Sequence, residues 1–503
     1  MTSRPGRLLT IATVLLSLMG GACGTGVGAA GGGNSNPPPS GGATISSVTP
    51  PNANAGGAGL AITVSGEGFA SNSTVSWNGT SLITTTMGNG QLAATVPAAD
   101  IATAGAAQIT VVNPGSGGGT SNPLAFVING AAPPPTPGFV YVANSIGVSL
   151  TTGNISAFSV DPNTGVLAPI PGSPFPAGAE PTALTTDPSG KFLFEASNLE
   201  SPTPVNDISA FTINSSTGAL TTVAGSPFLS GVSPLSLAVD SSGKFLFTAD
   251  SGGEGNVTNN SISEYSINAT TGALTPASQA ACQSAAPAGF GLANAVATHP
   301  TAGFLFVSSV SGVVCSFSIN AQGTLQPVAG SPFSLGTNPL IDPRGVAIDP
   351  FGKYLYTANY EGGDVSAFSI AQGGGALTAV AGSPFTLGAG GFSASWLVVD
   401  PLGRFLYVLD FDGGVSGFSI NPSTGAISML AGFPINLPIQ NPKPLAVDPS
   451  GEFLYVGTEF PNVLPSVSSY AINETTGVLT AVPGSPFSVD GSPQAVTVTH
   501  KAP

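Results

Sequence analysis

Apolar residues alternate with Ser, Thr and Gly in short runs along most of the chain, as in Leu60-Ala-Ile-Thr-Val64 and Ile208-Ser-Ala-Phe-Thr-Ile213. A period of two places one face of each run in a core and the other in solvent, which predicts half-buried β-strands. The runs are separated by Gly, Pro, Asn and Asp, and with 69 Gly and 46 Pro in 503 residues a long helix has almost nowhere to form. The expected class is all-β.

From Phe139 onward the pattern repeats itself. A turn glycine, usually one spacer residue and an aromatic-aliphatic-aromatic triplet recur at Phe139, Phe192, Phe245, Phe304, Tyr354, Phe405 and Phe453. Residues 183 to 228 show the whole unit: Ala183-Leu-Thr-Thr-Asp187, the turn Pro188-Ser-Gly190, Phe192-Leu-Phe-Glu195, a loop, Ile208 to Ile213, the turn Ser216-Thr-Gly218, Leu220 to Val223, and Gly225-Ser-Pro-Phe228. Four short antiparallel strands per unit, repeated seven times, predict a seven-bladed propeller. The first copy lacks an inner strand and the chain ends in Ala495-Val-Thr-Val-Thr499, so these two pieces are expected to complete one blade and remove two open sheet edges.

Ahead of the repeats the composition shifts three times. Arg4 and Arg7 precede an apolar run from Leu8 to Leu18, about half the length that crosses a bilayer as a helix. Residues 1–22 therefore read as a signal peptide, and Gly20-Gly-Ala-Cys23 resembles the bacterial lipobox, which implies lipidation at Cys23. Ordinary signal-peptidase cleavage near this point is the alternative. Residues 23–43, nearly all Gly, Ala, Ser, Asn and Pro, form a low-complexity tether, and residues 130–137 a stiff Pro-rich linker. Between them, residues 44–129 carry the strands of a small β-sandwich. Ile45-Ser-Ser-Val-Thr-Pro50, Val64-Ser-Gly-Glu-Gly-Phe69, Val75-Ser-Trp-Asn-Gly79 and Ala94-Thr-Val-Pro97 resemble the IPT/TIG Ig-like family, whose members serve mostly as spacers or interaction modules.

The repeat grammar over residues 138–503 resembles the lactonase-like propellers, the group of bacterial 6-phosphogluconolactonases, muconate-lactonizing enzymes and Tyr-Val-Thr-Asn surface-layer propellers. Enzymes of this group carry Gly-Pro-Arg-His before the inner strand of one blade and Asn-Glu after its second strand. This chain has Asp342-Pro-Arg-Gly345 and Asn359-Tyr360. Arg344 is the one catalytic candidate kept; the His position is Gly345, the Glu position is Tyr360, and a second His of the enzymes falls on Asn294. Neither Gly nor Asn moves a proton near neutral pH, so the resemblance implies the architecture and argues against the lactonase reaction.

Charge narrows the remaining choices. Nine Lys and Arg against 24 Asp and Glu leave no basic stripe for nucleic acid. Four of the bases, Lys191, Lys244, Lys353 and Arg404, occupy the repeated turn and read as solvated spacers. Two others do not. The residue opening each inner strand should lie at the channel mouth on the face carrying the long loops and the Gly-Ser-Pro-Phe segments: Thr182, Leu235, Asn294, Arg344, Ser395, Lys443 and Gln494. Arg344 and Lys443 there can hold a small anion, unless Arg344 pairs with Asp342 instead. His299 and His500 read as turn residues, and no metal site or cofactor is expected. Asp410-Phe-Asp-Gly413 lacks the later ligands of a calcium loop. Cys282 and Cys315 either pair or remain two buried thiols. The expectation is an exported, lipid-anchored, non-catalytic binding or scaffold propeller at the cell envelope. Its partner would be a protein or glycan on the loop face, and its contact with the membrane only the lipid. A lactonase-type hydrolase is the alternative.

Overall fold

The computed structural model describes residues 42–54, 59–103, 105–115, 118–129, 138–146, 152–199, 205–252, 261–282, 293–336, 341–388, 393–411, 414–437, 445–460 and 463–499. Cys23, Lys443 and His500 lie outside them. The chain divides into two compact units, Met1–Pro133 and Pro134–Pro503.

The first unit is a β-sandwich. One sheet runs Thr44–Thr49, Leu60–Glu67, Gln91–Val96, Ile83–Gly88. The other runs Asn52–Asn54, Leu124–Asn129, Gly105–Asn113, Thr74–Trp77, Thr80–Ser81. Alternate residues from each sheet, among them Ile62, Val64, Leu92, Ile109 and Val111, fill the core around Trp77 and Phe126, whose rings are 5.0 Å apart.

The second unit is the propeller. Six blades are single sheets in chain order, from Pro181–Thr186, Phe192–Leu199, Val205–Ile213 and Leu220–Thr222 in blade 2 to Leu445–Val447, Phe453–Phe460, Val463–Ile472 and Leu479–Ala481 in blade 7. Blade 1 joins the ends, as expected: Ser492–Val498 is its inner strand and pairs antiparallel with Phe139–Ile146, with Val140 opposite Val498 and Val142 opposite Val496. Phe139 N–H donates to Thr499 Oγ1 at 3.0 Å, which fastens the first described strand of the propeller to the end of its last.

The repeated aromatic and the glycine of the turn between the third and fourth strands form one device. Phe139 lies against Gly218 of the next blade, Phe192 against Gly272, Phe245 against Gly323, Phe304 against Gly375, Tyr354 against Gly425 and Phe405 against Gly477, and Phe453 closes the ring on Gly165. At Gly425 (φ +74°) a Cβ would fall 2.2 Å from the Tyr354 ring, so both the backbone conformation and the ring require glycine. Tyr141, Tyr356 and Tyr407 add a hydroxyl that donates to the carbonyl of Gly218, Gly425 and Gly477 respectively. The core is accordingly a series of clusters between neighbouring blades.

Two expectations are corrected. The Gly-Ser-Pro-Phe segments do not lie on the loop face: they interrupt the outer strand midway, so the third strand of blade 1 pairs with Leu167–Pro169 at one end and Phe175–Ala177 at the other. Each Ser-Pro bond there is cis, and the serine hydroxyl accepts a third-strand N–H, as Ser173 does from Ala157 at 2.8 Å. Nor are Lys191 and Arg404 mere solvated spacers. Lys191 Nζ donates to the Ala269 and Thr270 carbonyls, and Arg404 to those of Glu474 and Gly451, so each clips its blade to the next. His299 stands where other blades have Asp: its Nδ1 accepts the Thr301 and Ala302 N–H groups, so Nε2 carries the proton and donates to Gly352 O at 2.9 Å. Cys282 and Cys315 form a disulfide with Cα atoms 5.7 Å apart, joining the end of blade 3's outer strand to blade 4's third strand.

Candidate functional site

The inner strands of blades 1 to 6 open with a β-bulge, and the bulged residue is the one expected at the channel mouth. In blade 5 Pro343 pairs with Asn359 and Gly345 with Ala358, leaving Arg344 without a ladder partner. The same shift isolates Thr182, Leu235, Asn294, Ser395 and Gln494. A bulge re-aims the extra side chain, and here it gathers all six around one cavity of about 410 Å³. Val310, Asp342, Trp396 and Phe411 complete the lining.

The hydrogen bonds separate these residues into two groups. Thr182 Oγ1 donates to Pro234 O of the next blade at 2.6 Å, and Ser395 Oγ to Leu409 O at 3.1 Å, so both hydroxyl protons serve the ring itself. Asn294 Nδ2 reaches across to Pro343 O at 3.1 Å and Asp342 Oδ1 at 3.0 Å. Gln494 Nε2 is drawn to Ser492.

Arg344 is the most elaborately held. Its Nε donates to Asp342 Oδ2 at 2.9 Å, which brings about the pairing that the sequence offered as an alternative. Its guanidinium carbon also lies 3.3 Å from the Tyr360 ring centroid, a stacked cation–π contact, and Tyr360 in turn meets Phe411 edge-on at 5.6 Å. The side chain remains 39% exposed, and its Nη groups make no hydrogen bond among the described residues. Asp342 is held in the left-handed region, at φ +43°, while its carbonyl accepts Tyr360 N–H at 3.0 Å. Both carboxylate oxygens of Asp342 are therefore spent, one on Asn294 and one on Arg344. A carboxylate so engaged positions a cation well and accepts a substrate proton poorly.

The Tyr at position 360 thus has a role of its own, as the platform under Arg344. At Gly345 a Cβ would meet Ser395 O and the Trp396 Cα at 3.3 Å, so the strand of blade 6 crowds the place where the resemblance expects histidine. Asp342, Trp396, Tyr360 and Phe411 were not singled out as site residues from the sequence. Three positions directly after the second strand, Val310, Tyr360 and Phe411, come to the mouth or its platform, and that offset from the aromatic triplet would have found them.

The IPT/TIG family model matches residues 43–128, and the model described as Lactonase, 7-bladed beta-propeller, matches 147–258, 200–331 and 255–383 in overlapping stretches. Among curated proteins none matches the chain by sequence. Solved structures share the fold. The periplasmic gluconolactonase of Pseudomonas aeruginosa superposes with a TM-score of 0.60 at 20% identity, covering 72% of this chain and 99% of its own. A Bacteroides fragilis protein provisionally named as a 6-phosphogluconolactonase gives 0.60 at 20%, covering 73% and 98%. Its counterpart from Bacteroides uniformis gives 0.59 at 19%, covering 72% and 100%.

Proposed function

We propose that this chain, an IPT/TIG domain ahead of a lactonase-like seven-bladed propeller, is a binding protein of the cell envelope whose channel mouth takes a small anion with polar substituents. The observation that carries the reading is the mounting of Arg344. Its position is fixed by Asp342 and Tyr360 while its Nη groups remain available to fork a carboxylate or phosphate. Trp396 and Phe411 line the same cavity and suit the apolar face of a ring, as in a sugar acid. The leader, the tether and Cys23 support export with a lipid anchor, and the sandwich domain then acts as a spacer.

Isothermal titration of the purified full chain with a panel of sugar acids and sugar phosphates tests this. A ligand of the class should bind wild type and lose roughly 30-fold or more in affinity with Arg344→Ala, the scale of a removed charge-assisted pair. Binding unchanged by that substitution would refute the site.

A lactonase reading is favoured by one feature, the retention of Arg344 at the mouth of a propeller similar to a gluconolactonase. It lacks a proton-moving group at positions 345 and 360. Turnover of aldonic or muconic lactones by the wild type, abolished in Arg344→Ala, would establish it over pure binding.

A further inference from the structure

A second polar constellation lies one strand outward, at the loop-face end of blade 2. In several blades a polar residue near the end of the second strand faces one near the start of the third: Asn144 opposite Asn154, Ser197 opposite Asp207, Asn359 opposite Asp364. Where the second-strand residue is Asn, its amide satisfies the partner. Asn144 Nδ2 donates to Asn154 Oδ1 at 2.8 Å and Asn359 Nδ2 to Asp364 Oδ1 at 2.6 Å. Blade 3 uses one carboxylate, Asp250, with Thr248 and Ser263 hydroxyls on its two oxygens.

Blade 2 departs from both solutions. Serine replaces the amide at 197, and its hydroxyl turns to Glu195 Oε1 at 2.5 Å. Glu195, on the same face two residues earlier, is fully buried and brings a second carboxylate to the cluster. Gly178 N–H donates to its Oε2 at 3.2 Å, and the Ser209 hydroxyl interacts with it as well. Asp207, 93% removed from solvent, keeps a buried Oδ1 with no donor. That oxygen and Ser197 Oγ both face Gly178, where a Cβ would fall 3.2 Å from Asp207 Oδ1 and 1.9 Å from the serine oxygen. The two ion pairs among the described residues lie elsewhere, at Arg344–Asp342 and Arg404–Asp400. Burial raises both carboxyl groups above their ordinary range, as expected for neighbouring acids without a counter-charge.

Two carboxylates and two hydroxyls converging in a dry place, with one carboxylate oxygen unserved, form an all-oxygen donor set with a formal charge of about −2. We infer that Glu195, Asp207, Ser197 and Ser209 bind a small hard cation, Ca²⁺ in kind, which takes the part that the Asn359 amide plays in blade 5. Two carboxylates balance its charge, and calcium tolerates the irregular geometry of hydroxyl and bidentate carboxylate ligands that magnesium does not. Gly178 leads within four residues to Thr182 at the channel mouth, so the cation would also stiffen the approach to the proposed ligand site.

The test uses the full chain, stripped with a chelator, at a pH slightly above neutral, titrated with calcium chloride and followed by calorimetry and metal analysis. Wild type should retain one equivalent of calcium, and at a free concentration about a hundred times the dissociation constant its unfolding constant should fall roughly a hundredfold. Asp207→Asn should lose the calcium and the response. Ser197→Asn, which supplies the amide used in blades 1 and 5, should fold at least as stably without calcium and respond to it no longer. Identical melting of stripped wild type with and without calcium would overturn the inference, as would a response that survives in both variants.

Discussion

If the aromatic–glycine contact is what holds neighbouring blades together, adding one methyl group to the glycine should cost far more there than at a glycine of equal backbone geometry in open space. Gly425 and Gly373 provide the pair, at φ +74° and +79°. A Cβ at 425 would fall 2.2, 2.5 and 2.7 Å from three atoms of the Tyr354 ring, whereas at 373 nothing lies within 4 Å. Both Gly→Ala changes carry the left-handed penalty of about 1–2 kcal/mol. Only Gly425→Ala adds the overpacking of a rigid ring in a closed interface, about 1–3 kcal/mol, and it also disturbs the carbonyl that accepts the Tyr356 hydroxyl at 3.0 Å. The expected losses are therefore about 2–5 kcal/mol for Gly425→Ala and about 1–2 kcal/mol for Gly373→Ala. Calorimetry of the full chain, comparing the propeller transition in the two variants, measures the difference. Adding Tyr354→Leu should recover part of the loss at 425 and none at 373, a coupling that a double-mutant cycle isolates. Equal losses at the two glycines, or no recovery, would show that the contact is incidental to the ring.

Replacing both Cys282 and Cys315 with Ser should destabilise the oxidised protein by about 4 kcal/mol, the closure entropy of a loop set by their separation of 33 residues; chemical unfolding that is the same with and without the bridge would contradict this. In cation-stripped protein, Glu195 has its carboxyl raised by burial from 4.5 to about 7. The fold favours its neutral form, so that contribution is complete below about pH 4.5 and disappears as pH rises through about 7, with a total size on the order of 3 kcal/mol. Melting temperatures measured across that window should fall in wild type with chelator and fall less in Glu195→Gln, where only the Asp207 carboxyl remains raised by burial, and calcium should flatten the wild-type profile by holding both carboxylates ionised.

The parts of this molecule that were legible in the sequence are those that the repeat must restate in every blade. The triplet at Phe192, the turn glycine at Gly218 and the Asp187 turn each make contacts that the next copy makes again, so recurrence amplifies a signal that one copy would leave ambiguous. Closure by Ser492–Val498 followed from the same counting. The Gly-Ser-Pro-Phe segments were misplaced because Gly and Pro suggest a loop between strands, whereas here the serine hydroxyl replaces a ladder bond and lets one edge strand continue past a turn. Lys191 and Arg404 were misread for a related reason: their partners are backbone carbonyls of another blade, which leave no mark in residue identity. The Tyr360 platform was hidden because a tyrosine in place of an acid reads as a loss until the guanidinium is seen lying on it.

The bulges explain why architecture and activity part company in such a chain. A residue opposite no partner in the ladder is released from the pairing and packing that fix its neighbours, so the fold accepts Thr, Leu, Asn, Arg, Ser or Gln at six equivalent places. A residue there is free to serve a hydrogen bond to the next blade or a ligand. Thr182 and Asn294 meet the first, through Pro234 O and Pro343 O. Arg344 exceeds it: an ion pair, a stacked ring and a donating amide on the carboxylate opposite are more support than holding a bulge requires, and they leave the charge facing the cavity. Support in excess of what the fold needs is a physical signature of a binding group, because it lowers the ordering cost at the moment a ligand arrives. By that measure the proposed anion site is centred on blade 5.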